Sequence, residues 1–169
     1  MGEIRIIMSS LLIIGAGSFS VEVDEIATLL GYKNIAFLDD KSTKAIGTMQ
    51  DICKMRKLYD TAIVALGNNE DRRRYHEALK RYKYSIPILI HPTAFVSADA
   101  QLLPGCIVRA NAVVSRFAKL GEGVIVNMGS LIDHHCEIEE FSMVLPGAVV
   151  RNSVRVASGS WIGANEVVE

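Results

Sequence analysis

Residues 120–144 read LGEGVIVNMGSLIDHHCEIEEFSMV, and in this stretch an aliphatic residue recurs at every sixth position. The same step of six continues without an insertion from Ile90 to Val168. It matches neither the period of a helix, about 3.6 residues, nor that of a single strand, about 2 residues. The step is typical of a hexapeptide parallel β-helix, a solenoid in which equivalent residues of successive coils stack in a buried column. The positions are Ile90, Val96, Leu102, Val108, Val114, Leu120, Val126, Ile132, Ile138, Val144, Val150, Val156, Ile162 and Val168.

A second column lies two residues before these positions, and its residues are nearly always small. We expect both columns to point into the solenoid, so that Cys106 and Cys136 serve packing. The chain has 3 cysteines and no C-x-x-C pair, which indicates neither a disulfide framework nor a zinc site. The small residues are Ala94, Ala100, Cys106, Ala112, Ala118, Ser130, Cys136, Ser142, Ala148 and Ser160.

The first half of the chain alternates strand and helix patterns, and turn residues close its apolar runs. This order predicts an α/β domain with a small Rossmann-like parallel sheet over 1–89, followed by an all-β solenoid over 90–169. The predicted strands cover 10–14, 35–38, 61–66 and 86–90, and helices follow the first strand, ending near Gly31, and the third, over 70–84.

Composition excludes several classes of protein. The net charge is −1 and half of the residues are apolar, which favours a filled core and leaves no electrostatic footprint for nucleic acid. We expect the single basic run, Arg72-Arg73-Arg74, to lie on a solvated helix face. No apolar stretch has the length of a membrane span and the N-terminus lacks a signal-peptide pattern, so we expect a cytoplasmic protein that binds no membrane.

Three groups of residues follow the predicted strands, at the sheet edge where open parallel sheets bind ligands. They are Gly15-Ala16-Gly17, Asp39-Asp40 and Gly67-Asn68-Asn69. A glycine turn before a helix offers N–H groups to phosphate, and an acidic residue after the second strand can accept hydrogen bonds from ribose or base. The pattern predicts a nucleotide or nucleotide-sugar site, although strand-end glycines also serve plain turns. Ser18-Phe19-Ser20 replaces the third glycine of the dinucleotide fingerprint, which argues against NAD.

His134 and His135 follow the Ile132 position at a predicted outward corner of the solenoid. An exposed imidazole can act as a general base, especially beside a carboxylate, and Asp133 and Glu137 are near in sequence. A histidine pair at such a corner is also compatible with plain surface or an interface. Two adjacent histidines alone do not make a metal site, and we predict none.

The chain resembles bacterial sugar O/N-acyltransferases, which have a small Rossmann-like N-terminal domain and a left-handed hexapeptide β-helix. Within that family it is most similar to the enzymes that N-acetylate UDP-4-amino-sugars for protein glycosylation. The motifs that carry the resemblance span nearly the whole chain: Gly15-Ala16-Gly17, Phe37-Leu38-Asp39-Asp40, Ala65-Leu66-Gly67-Asn68-Asn69, His91-Pro92-Thr93-Ala94 and Ile132-Asp133-His134-His135-Cys136.

The resemblance implies a homotrimer with sites between subunits, acetyl-CoA as co-substrate, and a UDP-sugar bound by the N-terminal domain. It also implies that His134 is the general base of a direct transfer to the sugar amine. The acidic residue that commonly follows the base is replaced here by His135. The residues that would orient or support His134 are therefore Asp133, His135, Glu137 or a group on a neighbouring subunit. Met143 stands where close relatives can carry a histidine that contacts acetyl-CoA.

Two further differences from the family concern the first loop and the solenoid. Ser18-Phe19-Ser20 stands where relatives often continue Gly-His-Gly. Relatives also have further coils beyond the equivalent of Val168, so we expect the 90–169 domain to be incomplete at its C-terminus. The alternative functions are an O-acetyltransferase of sialic acid or another glycan precursor, and a non-catalytic nucleotide-sugar-binding or scaffold protein, since fold alone does not decide function.

Overall fold

The computed structural model describes residues 10–169, so the first nine residues of the predicted α/β domain lie outside the described part. That domain contains a parallel sheet of three strands in the order β2-β1-β3. The strands are β1 (Ser10–Ile14), β2 (Asn34–Leu38) and β3 (Ala62–Val64), and the helices are α1 (Ser18–Leu29), α2 (Ile52–Met55), which follows a 3₁₀ turn at Met49–Asp51, and α3 (Asn69–Arg81).

The central strand β1 is a run of apolar residues because both of its faces are covered. Leu11 and Ile13 pack in a cluster with α1, and Leu12 and Ile14 pack in another with α2 and α3. The helix α3 begins where the side chain of Asn68 accepts a hydrogen bond from the N–H of Asp71, at 2.9 Å. Such a cap satisfies one of the free N–H groups of the first turn.

The predicted strand over 86–90 is not a strand of this sheet. Ser85 makes one isolated parallel bridge to Thr61, and the chain then leaves the sheet. Pro87 has no N–H to donate to a ladder, which ends the pairing. The residues that follow form β4 (Leu89–Ile90), which pairs with a strand of the solenoid instead.

The second half is the left-handed parallel β-helix of hexapeptide repeats, with about four turns. Strands of two residues pair with strands 18 positions away, as Ile107 does with Ile125 and Ile125 with Met143. The second residue of each strand is the aliphatic position of the sequence ladder, and these residues form one buried core with the small column. The strands after β4 are β5 (Phe95–Val96), β6 (Gln101–Leu102), β7 (Ile107–Val108), β8 (Val113–Val114), β9 (Lys119–Leu120), β10 (Ile125–Val126), β11 (Leu131–Ile132), β12 (Glu137–Ile138), β13 (Met143–Val144), β14 (Val149–Val150), β15 (Arg155–Val156), β16 (Trp161–Ile162) and β17 (Val167–Val168).

The first residue of each strand points outward and gives each face of the triangular solenoid its own character. The docking face carries Leu89, Ile107, Ile125 and Met143, which the α/β domain covers, and Trp161, which is 55% exposed. The apolar face carries Phe95, Val113, Leu131, Val149 and Val167. The charged face carries Gln101, Lys119, Glu137 and Arg155.

The docking face joins the two halves of the chain through one apolar cluster. Ile107, Ile125 and Met143 pack with residues of β1, β3 and α1. At one edge of this face, Arg109 donates a hydrogen bond to the Asn127 side chain at 2.8 Å and pairs with Glu22 of α1 at 2.5 Å. The α/β domain is therefore packed against the solenoid along a continuous interface.

Candidate functional site

The loops after β1 and β2 meet at the side chain of Asp39. One carboxylate oxygen of Asp39 accepts a hydrogen bond from the N–H of Ala16 at 2.9 Å, and the other accepts from Lys41 and Ser42 at 2.8 and 2.9 Å. These bonds, that from Ala16 first, lower the pKa of Asp39. The structure thus brings Asp39 together with the Gly15-Ala16-Gly17 turn, as the sequence predicted.

Gly15 allows the loops after β1 and β3 to approach each other. Its φ is +107°, and a Cβ there would lie 2.8 Å from the Leu66 side chain and 2.9 Å from the carbonyl oxygen of Ala65. Gly17 directly precedes α1 and is exposed. Because the first N–H groups of a helix have no partner within it, this end of α1 can bind an anionic group.

A shallow cleft of about 380 Å³ lies beside these loops and is lined by residues 39–48. Asp40 is exposed at its edge and accepts a hydrogen bond from the N–H of Met49 at 3.0 Å. The acidic pair therefore has two tasks: Asp39 organises the loop, and Asp40 remains open to a ligand on one side.

In the third predicted group, Gly67-Asn68-Asn69, the two asparagine side chains form hydrogen bonds within the chain. The Asn68 side chain caps α3. The Asn69 side chain donates to the carbonyl oxygens of Gly159 and Ser160 in the solenoid, at 2.8 and 3.2 Å. The side chains of Asn68 and Asn69 are therefore engaged within the chain, whereas Asp40 and Gly17 remain exposed to solvent.

The expectation that Arg72 lies on a solvated helix face is wrong. Its side chain is 1% exposed, and burial lowers the pKa of Arg72 to about 10. The guanidinium donates to carbonyl oxygens on both sides of the interface, among them Gly67 at 3.2 Å, Gly123 at 2.9 Å and Phe141 at 2.7 Å. An arginine can be buried without a carboxylate when its fixed fork of donors meets enough acceptors.

Its two neighbours differ from it. Arg73 donates to the Ser158 hydroxyl at 2.5 Å and lies over the ring of Phe141, and Arg74 is exposed as predicted. A signal for the buried side of α3 was present in the sequence, because Arg72, His76 and Leu79 lie three or four residues apart and share one helix face.

His76 is buried beside Arg72 at the same interface. Its Nε2 lies 3.4 Å from a carboxylate oxygen of Glu122 without the alignment of a hydrogen bond, and its ring packs edge-on against Phe141. A Cβ at Gly105 would lie 2.7 Å from this ring. The imidazole therefore fills a space that leaves no room for a side chain at Gly105.

His134 and His135 lie at a corner of the solenoid between the apolar face and the charged face, and both are exposed. Their Nδ1 atoms are 3.0 Å apart. Asp133 accepts a hydrogen bond from the backbone N–H of His134 at 2.7 Å, and Glu137 pairs with Lys119 at 2.8 Å on the charged face. The corner thus presents an imidazole whose nearest side-chain partner is another imidazole.

The model of the PglD N-terminal domain family matches residues 10–79. Over nearly the whole chain, the acetyltransferase domain of PglB from Neisseria gonorrhoeae, solved in complex with acetyl coenzyme A, is 35% identical with a TM-score of 0.90; the match covers 94% of this chain and 80% of that one. The chain belongs to the sugar O/N-acyltransferase family.

Two further structures are similar to this acyltransferase. Another structure of the same PglB domain is 32% identical, with a TM-score of 0.77 and coverage of 95% and 91% of the two chains. A mutant of perosamine N-acetyltransferase from Caulobacter crescentus, in complex with CoA and GDP-perosamine, is 23% identical with a TM-score of 0.83, over 95% and 85%. At that identity the likeness shows the fold: an α/β domain followed by a β-helix.

Within one acyltransferase chain, His134 and the loops of the α/β domain lie on different sides of the solenoid. The two halves touch along the docking face and at its two edges, where Arg109 meets Glu22 and Gly123 meets Arg72. The corner that carries His134 is the one opposite the docking face.

Met143, the predicted position for a contact with acetyl-CoA, lies on the docking face of the acyltransferase. It is 4% exposed and packs in the apolar cluster between the two halves.

Cys106 and Cys136 are buried in the core of the solenoid, as predicted from the column of small residues. Burial raises the pKa of Cys106 to about 12.

Residues 10–169 of the acyltransferase bring together no group of three or more His, Cys, Asp or Glu side chains that could hold a metal ion. None of their helices is long and apolar enough to cross a membrane.

Proposed function

We propose that this chain is an N-acetyltransferase that transfers the acetyl group of acetyl-CoA to the amine of a UDP-amino-sugar. The enzyme is an acetyltransferase and acetyl-CoA is its co-substrate, in keeping with the PglB domain that was solved with acetyl coenzyme A. The observation that carries the site assignment is the exposed imidazole of His134 on the corner opposite the docking face.

The α/β domain would hold the nucleotide-sugar. The free N–H groups at the start of α1, next to Gly15 and Gly17, suit the diphosphate. Asp39 and Asp40 provide acceptors for ribose or base hydroxyl and N–H groups, and Gly67 borders the same edge of the sheet. The perosamine enzyme, which was solved with GDP-perosamine, is a relative in fold that binds a nucleotide-sugar. UDP in place of GDP, and these contacts, are part of our proposal.

The chemistry would need one base. Nε2 of His134 accepts a proton from the sugar amine while the amine nitrogen bonds to the thioester carbonyl carbon, and the carbon–sulfur bond then breaks to release CoA. No covalent acyl-enzyme is needed, because the attacking nitrogen is itself the acceptor of the acetyl group. The sulfur leaves as a thiolate and takes up the proton from His134, so the transfer leaves an amide on the sugar, a free thiol on CoA and His134 ready for the next cycle.

A second copy of the chain would complete the site. The apolar face borders the corner of His134, and Phe95 and Val167 on it are 60% and 56% exposed. Its column of five outward apolar residues has no cover within the described part of the chain. Large exposed apolar patches mark interaction sites. We therefore propose a homotrimer in which the loops of one subunit face His134 of the next.

The release of free CoA from acetyl-CoA, measured with a thiol reagent, tests this function. We expect release with a UDP-4-amino-sugar, less with a GDP-amino-sugar and none with sialic acid. Turnover with sialic acid alone would support the O-acetyltransferase alternative. Binding of a UDP-sugar without binding of CoA in calorimetry would support the non-catalytic alternative. A cytoplasmic location stays a prediction, to be checked by cell fractionation.

A further inference from the structure

The imidazole rings of His134 and His135 meet at their Nδ1 atoms. These atoms are 3.0 Å apart, and the ring planes are perpendicular to each other. Two ring nitrogens at this distance are hydrogen-bonded when one carries a proton and the other has a free lone pair. The contact therefore ties the tautomer of each ring to that of the other.

His135 is held in place independently of His134. Its backbone has φ of +60° at the left-handed position of the corner, and its N–H donates to the carbonyl oxygen of Arg116 at 3.1 Å. Its ring packs on Phe117, with the centroids 4.9 Å apart. A ring that is fixed by backbone and packing presents its Nδ1 at a defined place.

The carboxylates of this corner are engaged elsewhere. Asp133 accepts from the backbone of His134, and Glu137 pairs with Lys119. Within residues 10–169, no carboxylate oxygen forms a hydrogen bond with the ring of His134. The side chain that contacts Nδ1 of His134 is the imidazole of His135.

We infer that His135 is the positioning residue for the base: its Nδ1 accepts a hydrogen bond from the Nδ1–H of His134, which keeps the proton of His134 on Nδ1 and leaves Nε2 of His134 free of a proton. This inference rests on the proposed role of His134. In this arrangement His135 carries its own proton on Nε2, which is the tautomer that a neutral histidine side chain favours in water. When His134 takes up the proton of the amine it becomes a cation, and the bond to His135 strengthens because its donor is then charged.

The solenoid itself supplies matched substitutions for a test. The same left-handed corner position holds Asn111, Asn165, Phe117 and Phe141, with φ between 56° and 62°. Asn and Phe should therefore fit at position 135. His135→Phe keeps a ring next to Phe117 and removes the acceptor. His135→Asn keeps an acceptor, the side-chain oxygen, near the place of Nδ1.

The first measurement is the tautomer of His134, from ¹⁵N NMR of the imidazole nitrogens in the free protein at mildly alkaline pH. The chain has 4 histidines, so the signals can be assigned with single variants. We expect a proton on Nδ1 of His134 in the wild type and in His135→Asn, and a shift towards the Nε2–H form in His135→Phe. A wild-type protein with the proton on Nε2 of His134 would overturn the inference.

The second measurement is turnover. We expect His135→Phe to lower kcat about tenfold or more with little change in KM, because a base in the wrong tautomer cannot accept the proton, and His135→Asn to restore most of kcat. Equal kcat values in the two variants would contradict a positioning role. The NMR result needs no substrate. If the NMR spectra show the expected tautomer but the protein has no turnover, the proposed function is contradicted and the hydrogen bond between His134 and His135 is still supported.

Discussion

Nε of Arg72 lies 2.9 Å from the carbonyl oxygen of Gly123, and this buried hydrogen bond joins α3 to the solenoid at one edge of the docking face. The same guanidinium contacts the carbonyl oxygens of Leu66 and Gly67, directly after the third strand of the sheet. One side chain thus fixes the loop that follows β3 relative to the coils of the β-helix.

Arg72→Met should lower the free energy of unfolding by roughly 2–4 kcal/mol, because it leaves several buried carbonyl oxygens without donors. Arg72→Lys should lose less, since a single ammonium group keeps the charge and only part of the hydrogen bonds. Urea unfolding at one fixed protein concentration measures the change. The control is Arg74→Met on the same helix, where we expect a change within about 0.5 kcal/mol. Equal losses at both positions would contradict the role of Arg72.

Because of His76, the free energy of unfolding should decrease as the pH is lowered below the ordinary pKa of histidine. Burial lowers the pKa of His76; Glu122 and Glu77 oppose this effect, and Lys80 adds to it. The unfolded chain takes up a proton at about pH 6.5 and the folded chain only at lower pH. Between these values the unfolded state binds more protons, so the free energy of unfolding rises with pH there.

Unfolding midpoints in urea between about pH 5 and 7.5 check this window. His76→Phe should flatten the dependence and keep a ring against Phe141. His91→Gln, at the start of the solenoid, should not. An unchanged slope in His76→Phe would assign the effect to other groups.

Gly105→Ala should destabilise the protein more than Gly129→Ala. Both glycines have positive φ, and a side chain there costs about 1–2 kcal/mol. Of these two positions, only Gly105 would bring the new Cβ within 4 Å of other atoms, the nearest being those of the His76 ring. The contact should add about 1–3 kcal/mol. The added loss should vanish when His76→Ala is combined with Gly105→Ala, as measured by unfolding midpoints.

Leu131→Glu should dissociate the proposed homotrimer, because it places a charge in the middle of the apolar face. Sedimentation velocity at micromolar concentration would show the smaller species. Gln101→Glu on the charged face introduces the same residue type and should leave the assembly intact. If both variants sediment as the wild type does, the apolar face is not the subunit interface.

His134→Ala should lower kcat by at least about 100-fold, the scale of a positioned general base. Asp39→Ala should abolish binding of the nucleotide-sugar instead, because Asp39 organises the loop after β1. If each site is formed between two subunits, mixed trimers of these two inactive variants contain some complete sites. Refolding the variants together should then restore measurable turnover, and no restoration would place both residues in a site within one subunit.

The β-helix could be predicted from the sequence because every sixth residue meets the same surroundings. The ladder from Ile90 to Val168 repeats one requirement, burial of a branched side chain, and a single pattern therefore describes half of the chain. The corner of His134 followed from the same register. The boundary at 86–90 could not be predicted in this way. Leu89 would be buried in the sheet of the α/β domain as well as in the solenoid, and only Pro87 indicates where the chain leaves the first sheet.

The interface between the two halves was harder to predict because it depends on two periodic patterns at once. Arg72 looks like a surface residue of a charged helix until the carbonyl oxygens of Gly123 and Phe141 are brought against it. Asn69 looks like a ligand-binding residue for the same reason, and its partners, Gly159 and Ser160, lie about ninety residues away in sequence. A helical period and a six-residue period do not reveal how their surfaces meet.

The three faces of the solenoid also determine how a substitution alters the surface of the protein. An outward residue belongs to the same face as the residues eighteen positions before and after it. The outward residues of three separate surfaces therefore alternate along the chain. A substitution at Leu131 alters the surface that also contains Val113 and Val149, and leaves the surfaces of Ile125 and Glu137 as they were. A single repeating scaffold can therefore gain a new partner on one side while it keeps the other two.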